Sequence, residues 1–313
     1  MCSAPGTKAF LDDAWFQRKH LYSADELYQG FSDGGWEATT DGRMASWYSR
    51  DPVVSPEAAM DRAIHDANIT IALDQFVADR SVVGVMGGHR LHRSSPEFAE
   101  IVDLGLGLAD AGFTVATGGG PGAMEAANFG SWLGNVPRSR HQELRELVFD
   151  APEFVDDRDA AIAAALHARE LGTGADIAVE NLGIPTWVYW HEPPNVFATA
   201  IAKYFSNSIR EYGLLSIATA GIVFTKGGPG TWQEILTDAA QNSYVTAGER
   251  SPMVFLRYRD SDLHLVREQA REYGWLDLVF EVADIATAIA VLTRHQGAAS
   301  TRRAAHRPQR ERS

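Results

Sequence analysis

Hydrophobic positions change their spacing near residue 55 and again near residue 81. Before residue 55 they follow no period. Trp15, Tyr22, Tyr28, Trp36, Trp47 and Tyr48 stand among Gly, Ser and Asp, as in GFSDGGWEATTDGR. That pattern predicts an irregular arm over 1–55, its rings packed on the main body, on a partner subunit or over a ligand pocket. Ser55-Pro56-Glu57 reads as a helix start, with Ser55 as N-cap and Pro56 in the first turn. The helix is expected to run to about Asp79.

From Ser81 onward, short apolar runs alternate with helical spacing. Strands are predicted at 81–88 (SVVGVMGG), 113–117 (FTVAT), 185–190 (PTWVYW), 221–225, 252–256 (PMVFL) and within LDLVFEV, 276–282. After the first strand, Phe98, Ile101, Val102, Gly105, Leu108 and Ala109 share one helical face. Further helices are expected around 197–216, after the second glycine turn, to about Tyr273 and to about Thr293. In the helix after that turn, Trp232, Ile235, Leu236, Ala239 and Ala240 form the apolar face. Segment 135–180 is polar, acidic and alanine-rich, and reads as an insertion with a helix near 158–171. The basic stretch 296–313 reads as a disordered tail.

Strands that alternate with helices across short glycine turns imply an α/β fold, a doubly wound and mostly parallel sheet of Rossmann-like type over 56–295. Ligands of such sheets bind beyond the carboxyl ends of the strands, where strand order reverses. Both glycine-rich turns fall at strand ends and so share that rim.

Composition narrows the partners. The 313 residues carry 28 Lys and Arg against 41 Asp and Glu, a net charge of -13, which argues against a nucleic-acid polymer as ligand. A few local donors still suffice for a small anion. Cys2 is the only cysteine, so no intrachain disulfide and no cysteine-based metal site is expected. His89, His92, His141, His167 and His191 lack the spacing of metal ligands, and no metal or other cofactor is expected. The chain shows no signal-peptide pattern and no apolar run of membrane-spanning length, so a cytoplasmic location is the expectation.

The chemistry concentrates in the two turns. TGGGPGAMEAAN (117–128) joins a strand to a helix whose first N–H groups suit an anion. Pro121 is expected in the first helical turn. Glu125 follows it, either complementing the helix dipole or lining the pocket. TKGGPGTWQEIL (225–236) repeats the device, with Gly227, Gly228, Gly230 and Thr231 as candidate phosphate donors. Thr231 and Glu234 are equally spaced for a capping box. Neither turn is the dehydrogenase G-x-G-x-x-G or the G-x-x-x-x-G-K-[ST] phosphate loop.

Together the two turns resemble the Lonely Guy (LOG) family, also called lysine decarboxylase-like, whose signature PGGxGTxxE follows a GGGxxGxM turn. Here these read Lys226-Gly227-Gly228-Pro229-Gly230-Thr231-Trp232-Gln233-Glu234 and Gly118-Gly119-Gly120-Pro121-Gly122-Ala123-Met124. Gly87-Gly88-His89 and the GPGAM wording look closer to the larger bacterial nucleoside 5′-monophosphate nucleosidases of that superfamily.

The resemblance implies hydrolysis of the N-glycosidic bond of a nucleoside 5′-monophosphate to free base and ribose 5-phosphate, in the cytokinin-activating variant or another. It implies catalytic roles for Glu234 and for Arg210, the nearest match to an expected upstream arginine. It implies phosphate and ribose contacts from Gly119, Gly120, Gly122, Lys226, Gly227, Gly228, Gly230 and Thr231. Gly88, His89, Met124 and Glu125 are candidate pocket residues, and a homodimer or higher homo-oligomer is expected. Lys226 replaces the motif proline, and Pro229 fills its variable position. These departures leave open a non-catalytic nucleotide sensor, or a carrier of a phosphate-bearing cofactor such as the molybdenum cofactor.

Overall fold

The strand runs are apolar at nearly every position, the pattern of strands covered on both faces. In the computed structural model they form one seven-stranded, wholly parallel sheet in the order β4-β3-β2-β1-β5-β6-β7. The strands are β1 Val82–Met86, β2 Thr114–Thr117, β3 Leu182–Gly183, β4 Ala200–Ile201, β5 Gly221–Phe224, β6 Met253–Leu256 and β7 Val279–Val282. The structure describes residues 16–50, 55–172, 178–189 and 192–305; Cys2, Trp15, His191 and the chain beyond 305 fall outside them.

The helices are α1 Ala24–Leu27, α2 Phe31–Gly34, α3 Thr40–Arg50, α4 Pro56–Val77, α5 Pro96–Asp110, α6 Ala123–Leu133, α7 His141–Phe149, α8 Arg158–Gly172, α9 Asn207–Ile217, α10 Pro229–Tyr244, α11 His264–Tyr273 and α12 Ile285–Ala305. Ser55 caps α4 through its hydroxyl, as its sequence position predicts. α5 and α6 approach so closely that a methyl on Gly130 would overlap the Val102 carbonyl oxygen, and one on Gly105 the Ala127 carbonyl oxygen.

Sequence order reverses at β1, which pairs with β2 on one side and β5 on the other. The crevice beyond Met86, Thr117 and Phe224 is therefore the switch point of the sheet. The turn after each of these three strands is rich in glycine.

Several expectations need correction. The third strand lies at 182–183, not 185–190; of the described residues in that span only Thr186 bridges, to Tyr204. Pro185 interrupts pairing there, because it has no N–H to give. The helix expected from 197 begins at Asn207, and β4 occupies part of that span. Asp66 fixes this boundary by accepting the N–H groups of Phe205 and Ser206, at 2.9 and 2.8 Å. The last helix continues to Ala305, so 296–305 is helical rather than disordered. On α10 the buried residues include Thr231, Ile235, Asp238, Ala239 and Asn242, whereas Trp232 and Leu236 are exposed.

Within the described part of the N-terminal segment, 16–50, the expected irregular arm is largely replaced by short helices. Residues 24–50 form helical turns, and Tyr22, Leu27, Tyr28, Trp36 and Met44 join the main core. Asp41 is fully buried and accepts from Trp36 Nε1 at 3.0 Å, Trp187 Nε1 at 3.1 Å and Lys203 Nζ at 2.5 Å. An isolated carboxylate is costly in such a place; three donors make it tolerable.

Candidate functional site

The second glycine turn builds one wall. After β5 the chain passes Thr225, Lys226 and Gly227, and α10 starts at Pro229 with Gly228 as N-cap and no side-chain cap. Thr231 is thus the third residue of the helix, so it does not cap α10 and the capping-box alternative is excluded. The first-turn N–H groups of Gly230 and Thr231 have no carbonyl partner within the helix, as at any helix start. Thr231 folds back on Gly227, where any side chain would overlap its hydroxyl.

The first glycine turn builds the facing wall. α6 begins at Ala123, not at Pro121, and its N-cap Gly122 has a φ of 68°. A side chain at Gly122 would press on Gly88 and His89, at 2.5 and 2.7 Å. Behind the turn lies a buried amide network that sequence reasoning missed. Thr117 Oγ1 donates to Asn128 Oδ1 at 2.6 Å and accepts from Gly119 N at 3.0 Å. Asn195 Nδ2 donates to Asn128 Oδ1 and to Gly120 O, each at 3.1 Å. Asn128 also donates to Asn181 Oδ1 at 2.9 Å. A sequence signal existed in Asn128, a polar residue on the buried side of a helix of small residues.

Between the walls lies a cavity of about 230 Å³. Gly88, His89, Gly120, Met124, Arg210, Gly228, Gly230, Thr231 and Glu234 line it. Gly119, Gly122, Lys226 and Gly227 shape the turns but are not among the lining residues, and the Lys226 side chain is exposed. Glu125 is elsewhere: it pairs with Arg93 in the interior, at 2.9 and 2.5 Å, beside a separate cavity of about 20 Å³. Sequence reasoning also missed Pro185, Thr186, Tyr189, Glu192 and Glu211, which line the cavity too, and Gly87, Gly118 and Pro229 of the turns complete it.

Arg210 and Glu234 meet inside. Arg210 Nε donates to Ile184 O at 2.6 Å and Nη2 to Gly118 O at 3.2 Å, so the guanidinium joins the end of β3 to the first turn. Its Nη1 lies 3.9 Å from Glu234 Oε1. The Glu234 side chain is only 14% exposed. Burial pushes its carboxyl up to about 7; Arg210 opposes the shift and Glu211 adds to it. A carboxyl balanced between its two forms near neutrality suits general acid or base work. One helical turn on, Asp238 is fully buried, burial pushes it up to about 8, and its Oδ2 has no hydrogen-bond partner.

Among the described residues no three His, Cys, Asp or Glu side chains gather as a metal site, and no helix is long and apolar enough to cross a membrane.

No family model matches the chain, and no curated protein matches it. Likeness to solved structures is remote. The molybdenum cofactor carrier protein of Chlamydomonas reinhardtii is 18% identical, with 70% of this chain and 99% of that chain covered and a TM-score of 0.43. The molybdenum cofactor binding protein of Rippkaea orientalis is 16% identical, with 69% and 97% covered and a TM-score of 0.42.

Proposed function

We propose that this cavity binds a phosphate-bearing ring compound of nucleoside monophosphate type, and that Glu234 promotes hydrolysis of its N-glycosidic bond. The observation that carries this reading is the buried Glu234 carboxyl, held beside Arg210 just inside the uncapped N-terminus of α10. The phosphate would sit on the first turn of α10, where the N–H groups and the dipole favour an anion. The sugar would then lie beside Glu234.

Hydrolysis breaks the bond from the anomeric carbon to the base and forms one from that carbon to a water oxygen. Positive charge builds on the sugar, as in glycoside hydrolysis. An ionised Glu234 stabilises that charge and accepts a proton from the attacking water. The leaving base takes up a proton, giving free base and ribose 5-phosphate.

A second reading is a sensor, or a carrier of a phosphate-bearing cofactor such as the molybdenum cofactor, that binds without cleaving. It is favoured by Arg210, two of whose nitrogens are engaged by main-chain carbonyls of the cavity wall. The homodimer implied by the LOG resemblance is part of the proposal; exposed Ile209 and Tyr212 on α9 and Leu236 and Tyr244 on α10 offer it an apolar face.

Base release from AMP, GMP, IMP, CMP, UMP and isopentenyl-AMP, followed by chromatography, separates the two. Release that Glu234→Ala abolishes supports the hydrolase. Thermal stabilisation by these ligands without release supports the sensor or carrier.

A further inference from the structure

Glu211 is a carboxylate of the cavity that the proposed reaction does not use. It lines the cavity together with Arg210, its neighbour on α9, and Glu234 of α10. Consecutive helical residues point about 100° apart. Arg210 and Glu211 therefore reach the cavity from two sides of α9, the first buried and the second half-buried.

Glu211 is pinned at both oxygens. Its Oε1 accepts from Asn207 Nδ2 at 2.9 Å, one turn earlier on α9. Its Oε2 accepts from Gln233 Nε2 at 2.7 Å, on α10. Gln233 directly precedes Glu234. A carboxylate only accepts, so one amide N–H on each oxygen fixes both its place and its orientation. The clamp ties α9 to the first turns of α10 and keeps Glu211 within electrostatic reach of Glu234.

Charged and titratable groups surround Glu234 from several elements. Arg210 and Glu211 come from α9, His89 from the turn after β1 and Glu192 from the segment after β3. Tyr258, after β6, feels the Glu234 charge. Lys226 precedes α10 with its side chain exposed, and Asp238 lies buried one turn further along α10. Burial raises the Glu234 carboxyl most; Arg210 then lowers it and Glu211 raises it. Two consecutive residues of one helix thus push the same carboxyl in opposite directions.

We infer that Glu211 is a positioning residue for the hydrolysis: pinned between Asn207 and Gln233, it holds a fixed negative charge beside Glu234 and makes Glu234 a stronger base toward the attacking water. This rests on the proposed role of Glu234. A like charge nearby disfavours ionisation, so the proton that Glu234 takes from water is held more tightly. Glu211 itself exchanges no proton and forms no bond to the substrate.

The test compares Glu211→Gln and Glu211→Asp with the parent in two readouts. The first is the pH dependence of kcat/KM for base release from the most active nucleotide of the panel. The second is the titration of the Glu234 carboxyl by carbon-13 NMR in the ligand-free full chain, its signal identified by its loss in Glu234→Gln. In Glu211→Gln both midpoints should move to lower pH. At about pH 8.5 its kcat should fall about three-fold, with KM within about two-fold of the parent. Glu211→Asp keeps the charge and should keep both midpoints near those of the parent. A rate lost equally at every pH, with the Glu234 titration unmoved, makes Glu211 a structural clamp alone and overturns the inference. Midpoints that move as far in Glu211→Asp as in Glu211→Gln overturn it too. If no nucleotide loses its base, the hydrolase reading falls by itself. A downward move of the Glu234 titration in Glu211→Gln would then still uphold the electrostatic link, and an unmoved one would overturn both.

Discussion

Arg210 Nη1 stands 3.9 Å from Glu234 Oε1, while the other two guanidinium nitrogens hold the carbonyls of Ile184 and Gly118. One side chain therefore sets both the charge beside the carboxyl and the width of the cavity. The pair couples wall geometry to the protonation of Glu234.

If Glu234 works in its ionised form, kcat/KM for base release should fall below about pH 7, the value at which burial leaves this carboxyl. Glu234→Gln should lower kcat by about 10²–10⁴-fold with little change in KM. A rate profile flat from pH 5 to 8 would remove Glu234 from the proton transfer.

Arg210→Gln takes away the group that opposes the burial of Glu234. The carboxyl should then titrate above about 7, and the pH midpoint should move up with it. Loss of the two bonds to buried carbonyls should also cost about 2 kcal/mol of stability, read by urea unfolding.

Asp238 titrates near 8 in the folded protein, whereas an unfolded carboxyl titrates near ~4. Between those values the folded state holds the extra proton, so stability falls as pH rises across the window and levels off above it. Glu234 adds to the fall up to about 7. Asp238→Asn should flatten the curve and raise Tm at pH 8 relative to the parent. Matching Tm profiles from pH 5 to 9 would mean that Asp238 is not buried as described.

The contact of α5 with α6 has no room for a methyl at Gly130, because the obstacle is the Val102 carbonyl rather than a side chain that can turn away. Gly130→Ala should destabilise by about 1–3 kcal/mol in chemical denaturation. The same change at Gly213, which has open space around it, should be tolerated or stabilising.

Asp41→Ala should cost about 3–5 kcal/mol, since it strands the buried Lys203 ammonium along with two indole N–H groups. Thermal unfolding would show this as a large loss of Tm. A change under 1 kcal/mol would indicate that the segment around Asp41 is not part of the core.

Strands closed by glycine turns were legible in the sequence, because fully buried parallel strands are continuous apolar runs that end where the chain must turn sharply. Both turns could be named from the residues themselves, whereas Arg210 and the role of Glu234 came from the resemblance to the LOG family. The edge of the sheet could not: β3 and β4 contribute two residues each, too few to show a period. The N-terminal turns were hidden because their stability comes from long-range partners such as Lys203 and Trp187 rather than from amphipathic spacing. Glu192 was hidden for the same reason, since only the fold brings residue 192 against Gly120.

The three donors gathered on Asp41 also set an order of events in synthesis. Its partner Lys203 lies 162 positions later in the chain. At ribosomal speed that separation is roughly 10–30 s of waiting with the carboxylate unpaired. The opening segment of the protein is thus made early but finished late, and a nascent chain stalled between the two residues would carry its aromatic side chains exposed to chaperones.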